Sequence, residues 1–488
     1  MNIIEYLGYD NIPERYLDKE LIIDRGERVT TEEFLKVAAG IATEIVGRGI
    51  FNSPIAVIAE QSFQTLAFYM GILLSGNYYV TLSPELMKNR KSQILKKSGT
   101  QLICGVNEPF EKTDNLMFEE IKKSDDLAKD LYDLKKVRDN LPDNPILYEV
   151  FTSGSTGNPK GIIKTHEGMI AFLEQYISEF SLKTEDVLAN QTPFYFDASA
   201  KDIYLNWKLK CTMHILDKKM FIMPIPLVEY LNDNKVNIIQ WVPSALCILS
   251  KLKVFRTIKP KYLEKIFFVG EVFPIQQLKM WMEALPDTQF INLYGSSEIC
   301  GVCTYYVVPH DLDECSDIPM GKPFGNVELC IIKNGERVTG ADIVGEIWIK
   351  SATLSEGYVG LEDRNESAFI ENETGRWYVS GDLAKYDENG LIHFVSRKDF
   401  QIKHMGHRIE LGEIEQIALG IQGVREAACI YVKEKIVLYY AGVKEKAELL
   451  KEMKQKTVSY MIPNKVQMLD ELPLNANGKI DRQKLKEI

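Results

Sequence analysis

The chain has 488 residues, 45% of them hydrophobic, with 58 basic and 69 acidic side chains and a formal net charge of −11. That length exceeds one ordinary core and calls for two or more globular units, and an acidic balance without a long single-sign block excludes a nucleic-acid footprint. Eight cysteines at irregular spacing fit reduced thiols rather than a disulfide framework, the N-terminus shows no signal pattern, and no apolar run reaches the roughly 18 residues of a membrane span, so a cytoplasmic protein is expected.

From about residue 30, strand-like runs alternate with helical periodicity. TTEEFLKVAAGIATEIV predicts an amphipathic helix opened by a threonine cap, PIAVIAE a buried strand, and FQTLAFYMGILLSG a helix stopped by glycine. YYVTLSP and QLICGV continue the alternation, with the basic cluster Lys88 to Lys97 between them read as a solvated helix face. Such order predicts an α/β architecture with largely parallel sheets. Cys300 and Cys303 form a C-x-x-C. They lack the second pair or histidines of a zinc site and the small redox fold of a thioredoxin, and read as wall residues. In YDENGLIHFVSRKDFQIKHMGHRIELGEIEQIAL, Asp387 to Gly390 make a hairpin turn, and SRKDFQIK is a polar bridge into a last portion of mixed strands and helices. The expected division is residues 1–398 as a large domain and 399–488 as a small one.

The stretch ILYEVFTSGSTGNPKGIIKTH, residues 146–166, has a strand-like start and then a loop dense in glycines and hydroxyls that ends on Lys160. Glycines allow close backbone approach, hydroxyls supply neutral donors and the lysine a mobile charge, a combination suited to a polyphosphate. It is not a Walker A motif, because the lysine comes one place late and is followed by glycine.

TSGSTGNPKG closely resembles the phosphate loop of the adenylate-forming enzymes: acyl- and aryl-CoA ligases, luciferases and nonribosomal peptide synthetase adenylation domains. NLYGSSE (292–298) resembles that family's adenine-side segment, YVSGDL (378–383) its ribose segment, SRKDFQIKHMGHRIELGEIE (396–415) its hinge and LPLNANGKIDR (472–482) its terminal lysine loop. The resemblance implies an α/β fold: a large N-terminal domain of mixed, largely parallel sheets flanked by helices, plus a small mobile α+β C-terminal domain. It also implies two half-reactions, in which a carboxylate attacks the α-phosphate of ATP and a thiol then attacks the adenylate. By the same resemblance, Thr152, Ser153, Gly154, Ser155, Thr156, Gly157 and Lys160 hold phosphates, and Asn292, Tyr294, Gly295 and Ser297 lie on the adenine side. Asp382 and Arg397 contact the ribose, Glu298 helps bind Mg2+, Asp399 is the hinge, and Gly406 lies near the thiol channel. Lys479 is the catalytic cation, bridging carboxylate and α-phosphate as charge grows in the transition state.

FYFDASAKDIY (194–204) resembles the amino-acid branch of the family, in which the aspartate, here Asp197, pairs with the substrate ammonium. A substrate without an amine would leave that carboxylate unpaired, so Asp197 favours an amino acid over the alternative, an acyl- or aryl-CoA ligase. Motif alignment adds Ala198, Lys201, Gln240, Phe267, Val269, Leu293, Gly301 and Val302 to the pocket. Lys201 has two readings: turned inward to pair with an acidic or amide side chain, or turned to solvent from a helix. FTSGSTGNPKG, FDASAKDIY and FFVGEVFP also look like the stand-alone D-alanine carrier-protein ligases, which place cysteine at the position of Val269 and methionine at that of Lys201. Nine residues follow Lys479, so the expected acceptor is the phosphopantetheine thiol of a carrier protein in trans, with coenzyme A as the other pantetheine thiol. A third class, a non-enzymatic adenylate-binding module, is disfavoured by the presence of both Lys160 and Lys479.

Overall fold

The computed structural model describes residues 1–106, 108–152, 159–312, 317–474 and 480–488. It divides into two compact units: Met1–Pro84, Leu95–Val150 and Gly161–Ser396 form the first, and Glu85–Ile94, Phe151–Lys160 and Arg397–Ile488 the second. Among the described residues, no helix is long and apolar enough to cross a membrane.

Two large sheets organise the first part of the chain. One has seven strands in the order Gly357–Tyr358, Lys160–Thr165, Ile146–Thr152, Tyr78–Leu82, Pro54–Ile58, Leu102–Cys104 and Asp114–Leu116. Pro54–Ile58 lies parallel to both Tyr78–Leu82 and Leu102–Cys104. The other has nine strands, with Val187–Asn190, Ile238–Trp241, Lys265–Val269 and Gln289–Tyr294 as successive parallel neighbours. Parallel strands buried on both faces read as continuous apolar runs, and KIFFV and PIAVI do so. Helix Thr31–Gly47 starts where the threonine signal predicts: the Thr30 hydroxyl accepts from the Glu33 amide and the Glu33 carboxylate from the Thr30 amide. Helix Phe63–Leu74 ends just before Ser75 and Gly76, and Gly76 has φ +77°. A third, antiparallel sheet includes Val327–Lys333, Gly345–Ser351 and Gly375–Tyr386.

The second unit carries the hairpin Gln401–His404 with His407–Glu410, helix Leu411–Leu419 and a sheet of Val424–Val432, Lys435–Gly442 and Lys465–Met468. Its core is built from Ile409, Ile414, Leu438, Leu449 and Met453, all fully buried. The chain is therefore α/β with a small α+β C-terminal part. Of the basic helix Lys88–Ser98, Lys88, Lys96 and the serine and glutamine at 92 and 93 are solvated, but Lys91 is buried. Cys300 and Cys303 are fully buried, as wall residues should be.

Candidate functional site

Four neighbouring parallel strands end together at Asn190, Trp241, Val269 and Tyr294. In open α/β sheets, ligands bind beyond such carboxyl ends. Register brings predicted pocket residues to this edge: Gln240 lies beside Phe267, and Val269 beside Leu293. Phe267, Val269, Leu293 and Val302 are buried. Gly301 has φ +72°, and a Cβ there would lie 2.4 Å from the Phe172 ring, so only glycine fits.

Asp197 opens a short 3-10 turn, Asp197–Ser199, that leads into helix Ala200–Leu209. Its Oδ1 accepts from the Tyr148 hydroxyl at 2.8 Å and its Oδ2 from Lys164 Nζ at 2.8 Å. Lys164 is fully buried and also donates to the Ile299 carbonyl at 2.8 Å. Tyr148 is held in a stack: its ring lies 5.1 Å from Tyr79, which lies 4.0 Å from Tyr69. Burial pushes the Asp197 carboxyl above the usual range, with the Lys164 charge and hydrogen bond and the Tyr148 hydroxyl acting against it and nearby Glu298 with it.

This corrects one inference from sequence. A substrate without an amine would not leave Asp197 unpaired, because Lys164 already supplies a cation from within the protein. Neither Lys164 nor Tyr148 was singled out by motif. The available signal was a lysine inside an apolar strand, KGIIKT, whose burial only the three-dimensional packing reveals.

Lys201 is buried rather than turned to solvent. Its Nζ curls back to the Ala198 carbonyl at 2.9 Å and stands 3.9 Å from Asp202 Oδ1. Burial pushes Lys201 down and Asp202 up, each opposed by the other's charge. Asp202 Oδ2 accepts from Asn190 at 2.7 Å, and Gln240 Oε1 accepts from the Tyr176 hydroxyl at 2.7 Å. Ala198 is exposed.

Of the residues assigned to the nucleotide, the Tyr294 hydroxyl donates to Asp382 Oδ2. The Asp382 backbone amide, on strand Gly375–Tyr386, donates to Ser380 Oγ at 3.0 Å. Asn292 Nδ2 donates to the Pro319 carbonyl at 2.7 Å. Gly295 and Ser297 are half-buried in the following loop, where a Cβ on Gly295 would stand 2.9 Å from the Gly301 carbonyl. Glu298 is fully buried and accepts from the Tyr358 hydroxyl at 2.8 Å. In the second unit, Thr152 ends its strand with a buried hydroxyl that has no hydrogen-bond partner among the described residues, and buried Lys160 begins the next. Arg397 grips Asp399 with two hydrogen bonds, at 2.6 and 2.7 Å. Burial pushes Asp399 up, but the Arg397 hydrogen bond and charge outweigh it and hold the carboxyl below its ordinary value. Ser153, Gly154, Ser155, Thr156, Gly157 and Lys479 lie outside the described residues.

The family model of AMP-binding enzymes matches residues 10–359, and that of the AMP-binding enzyme C-terminal domain matches residues 413–479. The chain belongs to the AMP-binding enzyme family. Among AMP-binding relatives, the D-alanine--D-alanyl carrier protein ligase of Bacillus cytotoxicus (strain DSM 22905 / CIP 110041 / 391-98 / NVH 391-98) is 30% identical over 454 residues, covering 89% of each chain. A plipastatin synthase component of Bacillus subtilis (strain 168) is 28% identical over 499 residues, covering 99% of this chain. The chain spans only 14% of that relative's length. The Vibrio cholerae adenylation domain AlmE, solved in complex with glycyl-adenosine-5'-phosphate, shares the fold with a TM-score of 0.84 at 18% identity, covering 100% of this chain and 97% of that one.

Proposed function

We propose that this AMP-binding enzyme activates the carboxylate of an amino acid as an aminoacyl-adenylate and passes the acyl group to the phosphopantetheine thiol of a carrier protein. The carboxylate oxygen attacks the α-phosphorus of ATP and pyrophosphate leaves. The carrier thiol then attacks the acyl carbon, AMP leaves, and the thiol proton is released. Supply of ATP makes this a cytoplasmic reaction.

The observation that carries this reading is Asp197, a carboxylate held in place by Tyr148 and Lys164, in a chain similar to a carrier-protein ligase over most of both lengths. Asp197 would take the substrate ammonium on its remaining lone pairs. Asp382, braced by Tyr294, would hold the ribose hydroxyls together with Arg397, which would exchange Asp399 for the sugar. Thr152, Lys160 and the glycine-rich residues 153–157 would hold the phosphates, and Asn292, Tyr294, Gly295 and Ser297 the adenine side. Magnesium is bound by few protein carboxylates when phosphates complete its shell, and the single buried Glu298 fits that requirement. Bound there, Mg2+ would supply charge neutralisation at the phosphates. Lys479 would bridge the attacking carboxylate and the α-phosphate. Residues 1–398 would form the adenylation core, and 399–488 the domain that turns about Asp399 between half-reactions.

Incubating the chain with ATP, magnesium, labelled amino acids, a pantetheinylated carrier protein and coenzyme A tests the transfer. A thioester on the carrier, cleaved by hydroxylamine, is expected; label that reaches only coenzyme A would reject the carrier as acceptor. The second reading, an acyl- or aryl-CoA ligase for acids without an amine, gains support from the Lys164–Asp197 pair, which needs no substrate charge to be complete.

A further inference from the structure

We propose that Asp399 stands in for the nucleotide ribose in the empty enzyme: it holds Arg397 until the sugar displaces it, so that nucleotide binding releases the hinge. This rests on the reading above, in which Arg397 takes the ribose and Asp399 is the hinge, and adds a coupling between them.

The second unit resumes at Arg397, the last residue of strand Ile392–Arg397, and strand Gln401–His404 follows. Between the two strands the Asp399 carboxylate bonds in both directions. Backwards along the chain, its Oδ1 accepts from Arg397 Nε at 2.6 Å and its Oδ2 from Arg397 Nη2 at 2.7 Å. Forwards, Oδ1 also accepts from the Gln401 backbone amide at 3.2 Å. One side chain thus ties the end of one strand to the start of the next. A hinge works because a few residues absorb a large dihedral change, and this tie restrains those residues.

The chemistry of the fork explains why a sugar can take the place of the carboxylate. Nε and Nη2 of an arginine are rigidly parallel donors that meet two oxygens side by side. A carboxylate presents two such oxygens, and so does the vicinal diol of a ribose. While Asp399 fills this fork, a diol cannot share it. The partners are unequally covered, the Arg397 side chain being 15% exposed and that of Asp399 47%. The carboxylate therefore returns to water at little cost, while the better covered guanidinium stays in place for the next acceptor. Burial pushes the Asp399 carboxyl up, but the Arg397 hydrogen bond and charge, the Gln401 amide and the Arg408 charge hold it below its ordinary value. At neutral pH the competitor is thus the charged form. Competition and release are one coupling: the factor by which the tie weakens nucleotide binding is the factor by which nucleotide loosens the tie.

The test is calorimetric titration of the intact chain with ATP and with 2′,3′-dideoxy-ATP, both with magnesium, for wild type, Asp399→Asn, Asp399→Ala and Arg397→Met. Asp399→Asn keeps an oxygen for the Gln401 amide and loses the charge that holds Arg397. It should bind ATP about two- to fivefold more tightly than wild type, the scale of a part-exposed ion pair, and bind the dideoxy nucleotide with wild-type affinity. Asp399→Ala, which also drops the Gln401 bond, should tighten ATP at least as much. Equal tightening of both nucleotides would mean that the lost negative charge acts on the phosphates from a distance, and would overturn the proposal. Unchanged or weaker ATP binding in both Asp399 variants would overturn it too. Arg397→Met tests the underlying reading separately: it should weaken ATP more than the dideoxy nucleotide. If it weakens both equally, or neither, Arg397 does not touch the ribose and that reading falls with the proposal.

Discussion

Replacing Asp197 by alanine should destabilise the protein in the absence of any substrate. Removal of the carboxylate strands Lys164, fully buried with the Ile299 carbonyl as its one remaining hydrogen-bond partner among the described residues, and breaking one side of a buried ion pair costs about 3–5 kcal/mol. Replacing both partners, as Asp197→Ala with Lys164→Met, removes the stranded charge and should recover most of the loss, since apolar replacement of a buried pair is often close to neutral. A residue kept only to meet substrate behaves differently, because its loss costs no stability in the free protein. Urea unfolding followed by tryptophan fluorescence measures this directly: all five tryptophans fall in the first unit, which also contains Asp197 and Lys164. If Asp197→Ala unfolds at the wild-type urea midpoint, or if the double variant is less stable than the single one, Lys164 is not the internal partner of Asp197 and the correction drawn from the structure fails.

Two further outcomes follow from other groups. Glu149 is buried with one carboxylate oxygen unbonded among the described residues, and burial pushes its carboxyl from 4.5 to about 7. The folded chain therefore keeps this proton up to about pH 7 while the unfolded chain releases it near 4.5, so stability falls as pH rises across that window, by about 3 kcal/mol at its upper end. Glu149→Gln should be more stable than wild type by about that amount at pH 8 and unchanged at pH 4, measured by urea midpoints; equal midpoints at pH 8 would refute it. Lys479→Ala should slow adenylation by about 100- to 1,000-fold, the effect of losing one charge-stabilising contact, while ATP binding measured by calorimetry persists. An unchanged rate would remove its assigned role.

Much of the fold was legible because local signals and burial agreed. Thr30 caps its helix in the sequence and in the structure, and the apolar runs at 54–58, 78–82 and 102–104 became buried parallel strands. The hairpin turn at Asp387 is there too, with the Gly390 amide donating to the Asp387 carbonyl at 3.1 Å. The candidate site residues came from motif, and register shows that three of them, far apart in sequence, are neighbours: Gln240, Phe267 and Leu293 lie on adjacent strands that end together. What sequence did not show was pairing. Lys164 has the sequence character of a solvated strand lysine, and only the burial of both its sheet and the loop at Ile299 makes it the partner of Asp197. The direction of Lys201 was equally open, since a helix N-terminus accommodates a lysine facing either way, and packing turned it inward. The mutual grip of Arg397 and Asp399 was hidden because each residue already had a role of its own by resemblance.

The most direct measurement of the central claim is ATP–pyrophosphate exchange by the purified chain, comparing a complete amino-acid pool, a pool of aryl and fatty acids, and no acid. The account predicts exchange that depends on the amino-acid pool and is abolished by leaving it out. Exchange supported by the amine-free pool alone would contradict it, and would make Asp197 a structural partner of Lys164 rather than the anchor of a substrate ammonium.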